Sequence, residues 1–413
     1  MDGLDFNATV AGIYGPILGF IFFLILCFNN KLSINAFLLV SFYSVYTLTA
    51  YNFNLNYKDI YGFFQVLYIC VVFCMLLVRP KSASRVNYWP FLIFLFFVVI
   101  SRFGGSETDA TRSALINLLA CVTITVLMYL LARRREDFRS FVCFIGDFSL
   151  IYCLLAFIEF FENGATFSHK VSATFGSPNF LALFLSIGFI CAAYRYNNGL
   201  RKNIILIIYF LAIITTESRS GLVVPALYYI VSKGLSFRKI VTLFFLILSF
   251  YIIKYMGFAK DKFSGDGDFE RMGLNLMSLQ MAIDHPFTGV GWGSFPDNFR
   301  NYSHVFDILN VPMGTELALA TYDSFSTHND FLRVLSELGW VAFFVFLIIL
   351  WRSYNSLKYM DNAKDRDLLK VLFLGICFFS LFQNNMFNIY FWFFLFLPLQ
   401  IKVFGWARQD LRT

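Results

Sequence analysis

FLRVLSELGWVAFFVFLIILW, Phe331–Trp351, is long and apolar enough to cross a bilayer as one helix. Hydrocarbon about 30 Å thick asks for about 20 residues at 1.5 Å each. Runs of the same character recur near 10–28, 33–50, 61–78, 87–101, 113–132, 140–161, 177–194, 203–216, 220–232, 240–256, 367–383 and 386–404. Those near 87–101, 203–216 and 220–232 are short, so the expected count is twelve or thirteen. Short spans often border a site or a broken helix. Composition agrees with the pattern. Of the 413 residues 58% are hydrophobic and only 14% charged, where a soluble domain carries about 25% charged residues. Fifty-five phenylalanines are read as lipid-facing surface. The expected fold class is an all-α polytopic membrane protein of about 12–13 transmembrane helices with one large periplasmic loop.

The basic residues orient the helices, because loops that stay in the cytoplasm collect Lys and Arg. Loops after odd-numbered spans, with the C-terminal tail, hold 21 of them, among them Arg133, Arg134, Arg135, Arg139, Arg195 and Arg366. Short loops after even-numbered spans hold 5: Lys58, Arg102, Arg112, Lys170 and Arg219. The N-terminus is therefore expected outside, residues 257–330 outside, and the C-terminus in the cytoplasm. The net charge of +7 follows from this partition and is no sign of nucleic-acid binding. Asp2 and Asp5 precede the first apolar run in place of a basic region, so it is read as a retained span. All eight cysteines fall inside apolar runs, which reads as packing between helices, with no disulfide framework and no metal spacing. Asp147, Glu159 and Lys370 are the charges that look deeply placed.

Three units follow: N-terminal transmembrane helices over 1–256, the periplasmic loop over 257–330, and C-terminal helices with a cytoplasmic tail over 331–413. Within the loop, Lys260 to Asp268 reads as a flexible start, and Phe269 to Asp284 as an amphipathic helix. Pro286, Gly289, Gly291 and Gly293 then make turns. Trp292 and Phe295 are expected at the membrane interface.

Three polar features share the outer face. Thr215-Thr216-Glu217-Ser218-Arg219-Ser220-Gly221 joins two short spans and sets a guanidinium near membrane depth. That is costly unless it meets an anion, and its planar fork suits a diphosphate. Arg219 serves equally well as an ion-pair partner of Glu217. Arg271 sits at the start of the loop helix, where the dipole repels cations unless an anion is drawn there too; a solvated surface Arg is the other reading. His328, in Ser326-Thr327-His328-Asn329-Asp330, lies where the loop re-enters the membrane. Imidazole is the usual proton acceptor near neutral pH, though a lone buried histidine is also an ordinary structural residue. Asp330 and Asp323 are candidates to orient it. His169, His285 and His304 have no comparable setting.

These stretches resemble the O-antigen ligase and O-antigen polymerase superfamily. The resemblance rests on four motifs in order: Thr174-Phe175-Gly176-Ser177-Pro178-Asn179, then Glu217-Ser218-Arg219-Ser220-Gly221. Arg271 follows, with a helix running into Asp284-His285-Pro286-Phe287-Thr288-Gly289-Val290-Gly291-Trp292-Gly293, and then His328-Asn329 with Leu332, Glu337, Leu338 and Gly339. It covers about 174–345. Members usually show an even number of spans with the N-terminus inside, a departure confined to the N-terminal third. The resemblance implies a fold like that of the C-type glycosyltransferases and a transferase that needs no nucleotide sugar, cofactor or metal. The donor would be an oligosaccharide on undecaprenyl diphosphate in the bacterial inner membrane. The acceptor would be a glycan hydroxyl on a second lipid-linked repeat unit in a polymerase, or lipid A–core in a ligase. A chain-length regulator protein is a further possible partner. By the same resemblance Arg219 and Arg271 would bind the diphosphate and His328 would be the catalytic base. Asn329, Asp330, Glu217 and Asn179 would support them. A polymerase is the first reading and a ligase the second. A transporter or flippase of lipid-linked sugars is disfavoured, since the chain shows no inverted repeat.

Overall fold

The computed structural model describes residues 86–105, 108–131, 135–164, 171–173, 177–196, 199–233, 266–305, 327–386 and 388–401. The spans expected near 10–28, 33–50, 61–78 and 240–256 lie outside the described residues, as do Asp323 and the loop between Val305 and Thr327. The described residues form an all-α polytopic membrane fold without a β-strand.

Eleven α-helices are described: α1 (Trp89–Ser101), α2 (Asp109–Leu131), α3 (Arg135–Glu162), α4 (Pro178–Arg195), α5 (Leu200–Thr215), α6 (Arg219–Lys233), α7 (Asp266–Asp284), α8 (Phe295–Tyr302), α9 (Asp330–Ser356), α10 (Ala363–Ser380) and α11 (Ile389–Phe396). Each expected apolar run inside the described residues is helical. The starts obey local chemistry. Pro90, Pro178 and Pro296 fall in first turns, where a missing N–H costs nothing. Asn329, Asn362 and Asn388 cap α9, α10 and α11 by accepting backbone N–H groups with their side chains.

Small residues let α3 and α4 approach closely. A Cβ on Gly188 would collide with Ser149, and one on Gly146 would lie 2.9 Å from the backbone of Ala192. Tyr209 of α5 closes this crossing, its hydroxyl 2.5 Å from Ser149 Oγ and donating to the Gly146 carbonyl at 2.7 Å. Hydrogen bonds and small-residue contacts replace the hydrophobic drive that is missing between helices in lipid.

Of the run near 386–404, the described residues form α11 and the 3-10 turn Leu397–Gln400 that follows, and residues 402–404 lie outside them. Every residue of Ile389–Phe396 is buried. A helix apolar on all sides is buried on all sides, and here protein does the burying. Phe91 and Phe94 of α1, Phe346 of α9 and Trp392 and Phe396 of α11 pack ring against ring, with centroids 5.0–5.8 Å apart for Phe94–Trp392, Phe91–Phe396 and Phe94–Phe346. The phenylalanine content is thus partly interior, while Phe96, Phe103, Phe161 and Phe344 remain exposed.

Two ends of the bundle can be told apart. At one, the fully buried carboxylate of Asp365 on α10 takes Arg135 Nε at 2.5 Å, Arg139 at 3.4 Å and the hydroxyl of Tyr194 at 2.5 Å. Near it Asp147 meets Arg195 and Tyr196, each at 2.8 Å, so Asp147 sits beside a helix end and is not stranded mid-span. Arg219, Arg271 and His328 lie toward the opposite end.

Candidate active site

The lead-in to α9 is bound on both sides. Thr327 Oγ1 donates to the Asn329 carbonyl at 2.8 Å, and Asn329 Oδ1 accepts from the N–H groups of Phe331 and Leu332 at 3.0 and 3.1 Å. Asp330, fully buried, accepts from the N–H groups of Asn385 and Met386 at 2.7 and 3.1 Å. Each of its oxygens is thus bonded to the turn between α10 and α11. Between these anchors His328 adopts φ +50°. A non-glycine residue in this region costs on the order of 1–3 kcal/mol, and such residues cluster at functional sites. Glu217 (φ +55°) and Ala173 (φ +47°) are the other two among the described residues. All three lie in or beside a motif named above.

The half-buried His328 ring has its Nδ1 enclosed and without a hydrogen-bond partner among the described residues. Burial, and then the positive charge of Arg271, hold its pKa below the ordinary histidine value, while a hydrogen bond with Gln383 acts the other way. Arg271 and His328 are thus close enough for their charges to interact. α7 arrives there by packing parallel to the first part of α9: the Trp340 indole donates to the Ala282 carbonyl at 3.1 Å, leaving the start of α7 beside the start of α9. Leu274, Met277 and Met281 bury one face of α7 with Val290, Phe295 and Phe299. α7 begins at Asp266, three residues earlier than expected, so Arg271 occupies its second turn. The helix-end argument therefore transfers to Arg219, the first residue of α6.

Arg219 is exposed, on a turn that is otherwise enclosed. Thr215, Thr216, Ser218 and Ser220 are buried around it. Gly221 leaves room for Ala182 of α4, and its carbonyl accepts from Ser186 at 3.1 Å. Val224 of α6 packs on Gly375 of α10. α6 runs parallel to α4 and against α10, which brings Arg219 to the end of the bundle where Gln383 and His328 lie. The segment before α4 joins the same end: Val171 N–H donates to the Thr215 carbonyl at 3.5 Å. Glu159, one of the supposedly deep charges, accepts the N–H groups of Ser172 and Ala173 at 3.1 and 2.5 Å. Asn179 occupies the first turn of α4, half-buried.

The glycine-rich stretch after α7 is a latch. α9 breaks at Gly339 (φ +85°), and residues 286–293 pair with the freed backbone. Val290 and Gly291 donate to the Ser336 and Glu337 carbonyls at 2.9 and 3.1 Å, and Trp340 donates to the Pro286 carbonyl at 2.9 Å. Glu337 accepts from Gly293 N–H at 2.9 Å and from Arg333 Nε at 3.0 Å, both side chains being buried. Trp292, expected at the membrane interface, is fully buried instead. Its backbone N–H reaches Ser101, its indole reaches the Ala114 carbonyl, and the Arg333 guanidinium lies 4.6 Å above its ring. Phe295 is likewise buried, in the cluster under α7.

Gln383, Glu159, Arg333 and Trp292 are the residues that sequence reading missed in these roles. Three consecutive amides, Gln383-Asn384-Asn385, between two apolar runs were the visible signal for the first. An imidazole with an unpartnered nitrogen lies beside one guanidinium and on the same end as another. No curated protein matches the chain. A family model described as O-antigen ligase matches residues 204–347, which include Arg219, Arg271 and His328. That segment, roughly a third of the chain's length, is similar to the O-antigen ligase family.

Proposed function

We propose that the chain is a surface-polysaccharide polymerase of a bacterial inner membrane, working on the periplasmic face. Its donor is a glycan on undecaprenyl diphosphate, and its acceptor a sugar hydroxyl of a second lipid-linked repeat unit. His328 takes the proton of that hydroxyl. The oxygen attacks the anomeric carbon, the bond to the diphosphate breaks with inversion, and undecaprenyl diphosphate leaves with its negative charge against Arg219 and Arg271. Two guanidiniums aimed at a leaving group that is already good supply the charge stabilisation a metal would otherwise give. One observation carries the reading: a histidine held at φ +50°, with Nδ1 enclosed and unpartnered, in the field of Arg271. A ligase transferring to lipid A–core is the second reading, favoured by the description of the matching family.

The test is purified protein in nanodiscs with lipid-linked repeat units. A polymerase yields longer lipid-linked glycan from donor alone, whereas a ligase yields product only when lipid A–core is added. Arg219→Lys and Arg271→Lys should each lower turnover at least about tenfold, because a point charge does not reproduce a bidentate fork. Full activity in both would sink the clamp. The pH profile gives a separate check. A base must be neutral to act, and His328 is held below its ordinary pKa, so kcat/KM should stay flat through neutral pH and fall only below the usual histidine range. Arg271→Gln removes one cause of the depression. His328 then protonates at higher pH, and the acid limb of the residual activity moves up. An unmoved limb would mean that Arg271 does not act on the ionisation controlling turnover.

A further inference from the structure

α7 is apolar on two opposite faces. Leu274, Met277 and Met281 bury one of them against Val290, Phe295 and Phe299. Met272, Leu276, Leu279 and Ile283 line the other, at the spacing that sets side chains on one side of a helix. Phe287, just past the helix end, continues the line. Met272 is 49%, Ile283 61% and Phe287 77% exposed, and Leu276 and Leu279 are partly so. The stripe carries no charge. Asp284, the exposed acid next to it, lies about 100° round the helix from Ile283 and takes the Gln280 amide at 3.1 Å.

The depth of the stripe follows from α9. Val341, Phe344 and Ile348 are exposed on the flank of this membrane-spanning helix, and Trp351 with the exposed Arg352 closes its apolar stretch at the far end. Hydrocarbon about 30 Å thick, counted back from Trp351 at about 1.5 Å per residue, reaches roughly to Leu332. Yet every residue of α9 from Arg333 to Gly339 is buried, Arg333, Ser336 and Glu337 among them. Such polar groups are costly against lipid. α7 packs along α9 and ends at Trp340, whose indole donates to the Ala282 carbonyl at 3.1 Å and whose N–H donates to the Pro286 carbonyl at 2.9 Å. The Phe287 backbone lies against Gly339. Ile283 and Phe287 therefore continue the exposed row of Val341, Phe344 and Ile348.

We propose that α7 is seated in the bilayer, with Met272, Leu276, Leu279, Ile283 and Phe287 against the acyl chains of bulk phospholipid in the leaflet nearest His328. α7 then forms the lipid-facing wall that α9 lacks from Arg333 to Gly339, and the membrane itself supports the helix that carries Arg271. Continuity with the α9 flank favours lipid over a partner protein, which would have to cover Val341 and Phe344 inside the bilayer as well. The proposal stands apart from the reading of His328 as a base and from the choice of acceptor.

The test places photoreactive benzoylphenylalanine at Leu279, Ile283 or Phe287, one position at a time, in the full-length chain. The protein is held in nanodiscs of dioleoyl phosphatidylethanolamine and dioleoyl phosphatidylglycerol, and adducts are weighed after illumination. Each position should gain the mass of a phospholipid, in a yield comparable to that at Phe344, while His304, exposed on the same loop, should gain none. Absence of phospholipid adducts at Ile283 and Phe287, with Phe344 labelled, overturns the proposal. So does a cross-link at these positions to a second copy, to another segment of the chain such as 306–326, or to a polyprenyl diphosphate alone. Separately, Ile283→Glu should lower the thermal midpoint in the same nanodiscs by about 2 °C or more, and Asn301→Glu, at an exposed position of α8, should leave it in place. An unmoved midpoint in Ile283→Glu also counts against lipid contact. If that variant does not accumulate, the cross-linking decides alone.

Discussion

Replacing His328 by alanine removes turnover by about 10²-fold or more, the scale of a lost positioned base, and leaves a protein that still inserts and binds its donor. At that size the barrier rises by about 2.7 kcal/mol. The fold loses little, because Nδ1 has no partner among the described residues and the anchors of the lead-in belong to Thr327, Asn329 and Asp330. His328→Gly makes the same point from the other side. Glycine adopts φ +50° without strain, so this variant should melt no lower than the parent while being as inactive as His328→Ala. His285 and His304 are exposed, and alanine at either should leave turnover near that of the parent. Turnover by purified protein at matched donor occupancy is the measurement. Near-parental turnover in His328→Ala would reduce the site to a phosphate clamp.

Gly289→Ala has the largest expected effect on stability. Its φ is +66°, and an added Cβ would lie 2.3 Å from the carbonyl carbon of Glu337 and 2.5 Å from the nitrogen of Leu338. Backbone stands in the way, so no side chain can turn aside to make room. Relief requires the loop to lift from α9, which breaks the bonds from Val290 and Gly291 to the Ser336 and Glu337 carbonyls and exposes the paired charges of Arg333 and Glu337. The combined loss is ~4 kcal/mol or more, at the top of the range for single substitutions. Gly164→Ala is the control: φ is +77° there, and nothing lies within 4 Å of the new methyl. It should cost only about 1 kcal/mol. Thermal denaturation of both variants in detergent separates crowding from backbone strain. Equal midpoints would mean that the loop yields at no cost.

The helices were legible because lipid imposes a length and a composition that survive in every apolar run, from Trp89–Ser101 to Asp330–Ser356. The enclosure of α11 was not legible, because hydropathy cannot tell a residue facing lipid from one facing Phe91 and Phe94. The motif residues Arg219, Arg271 and His328 were visible as costly polar groups at an apolar margin, and the structure puts them on one end. Their partners were not visible. Gln383 lies 55 residues from His328 in the chain, and what joins them is the pairing of Asp330 with the α10–α11 turn, a contact with no periodic trace. Trp292 misled because aromatic residues beside glycine turns suit an interface and a latch equally well. Only the enclosed ion pair beneath its ring decides between them.

The break in α9 at Gly339 bears on how the segment carrying Arg271 and His328 can be exchanged between related chains. A chimera cut at residue 330 looks natural, since the loop ends and a span begins there. Such a graft would bring a foreign Gly289–Gly293 segment onto a resident Ser336–Trp340 backbone, with a foreign Trp292 under a resident Arg333. The transplant would fail to seat. The smallest transferable cassette therefore runs past the break, from α7 through Trp340. Ser101, Gly105 and Ala114 of the host form the socket it has to fit.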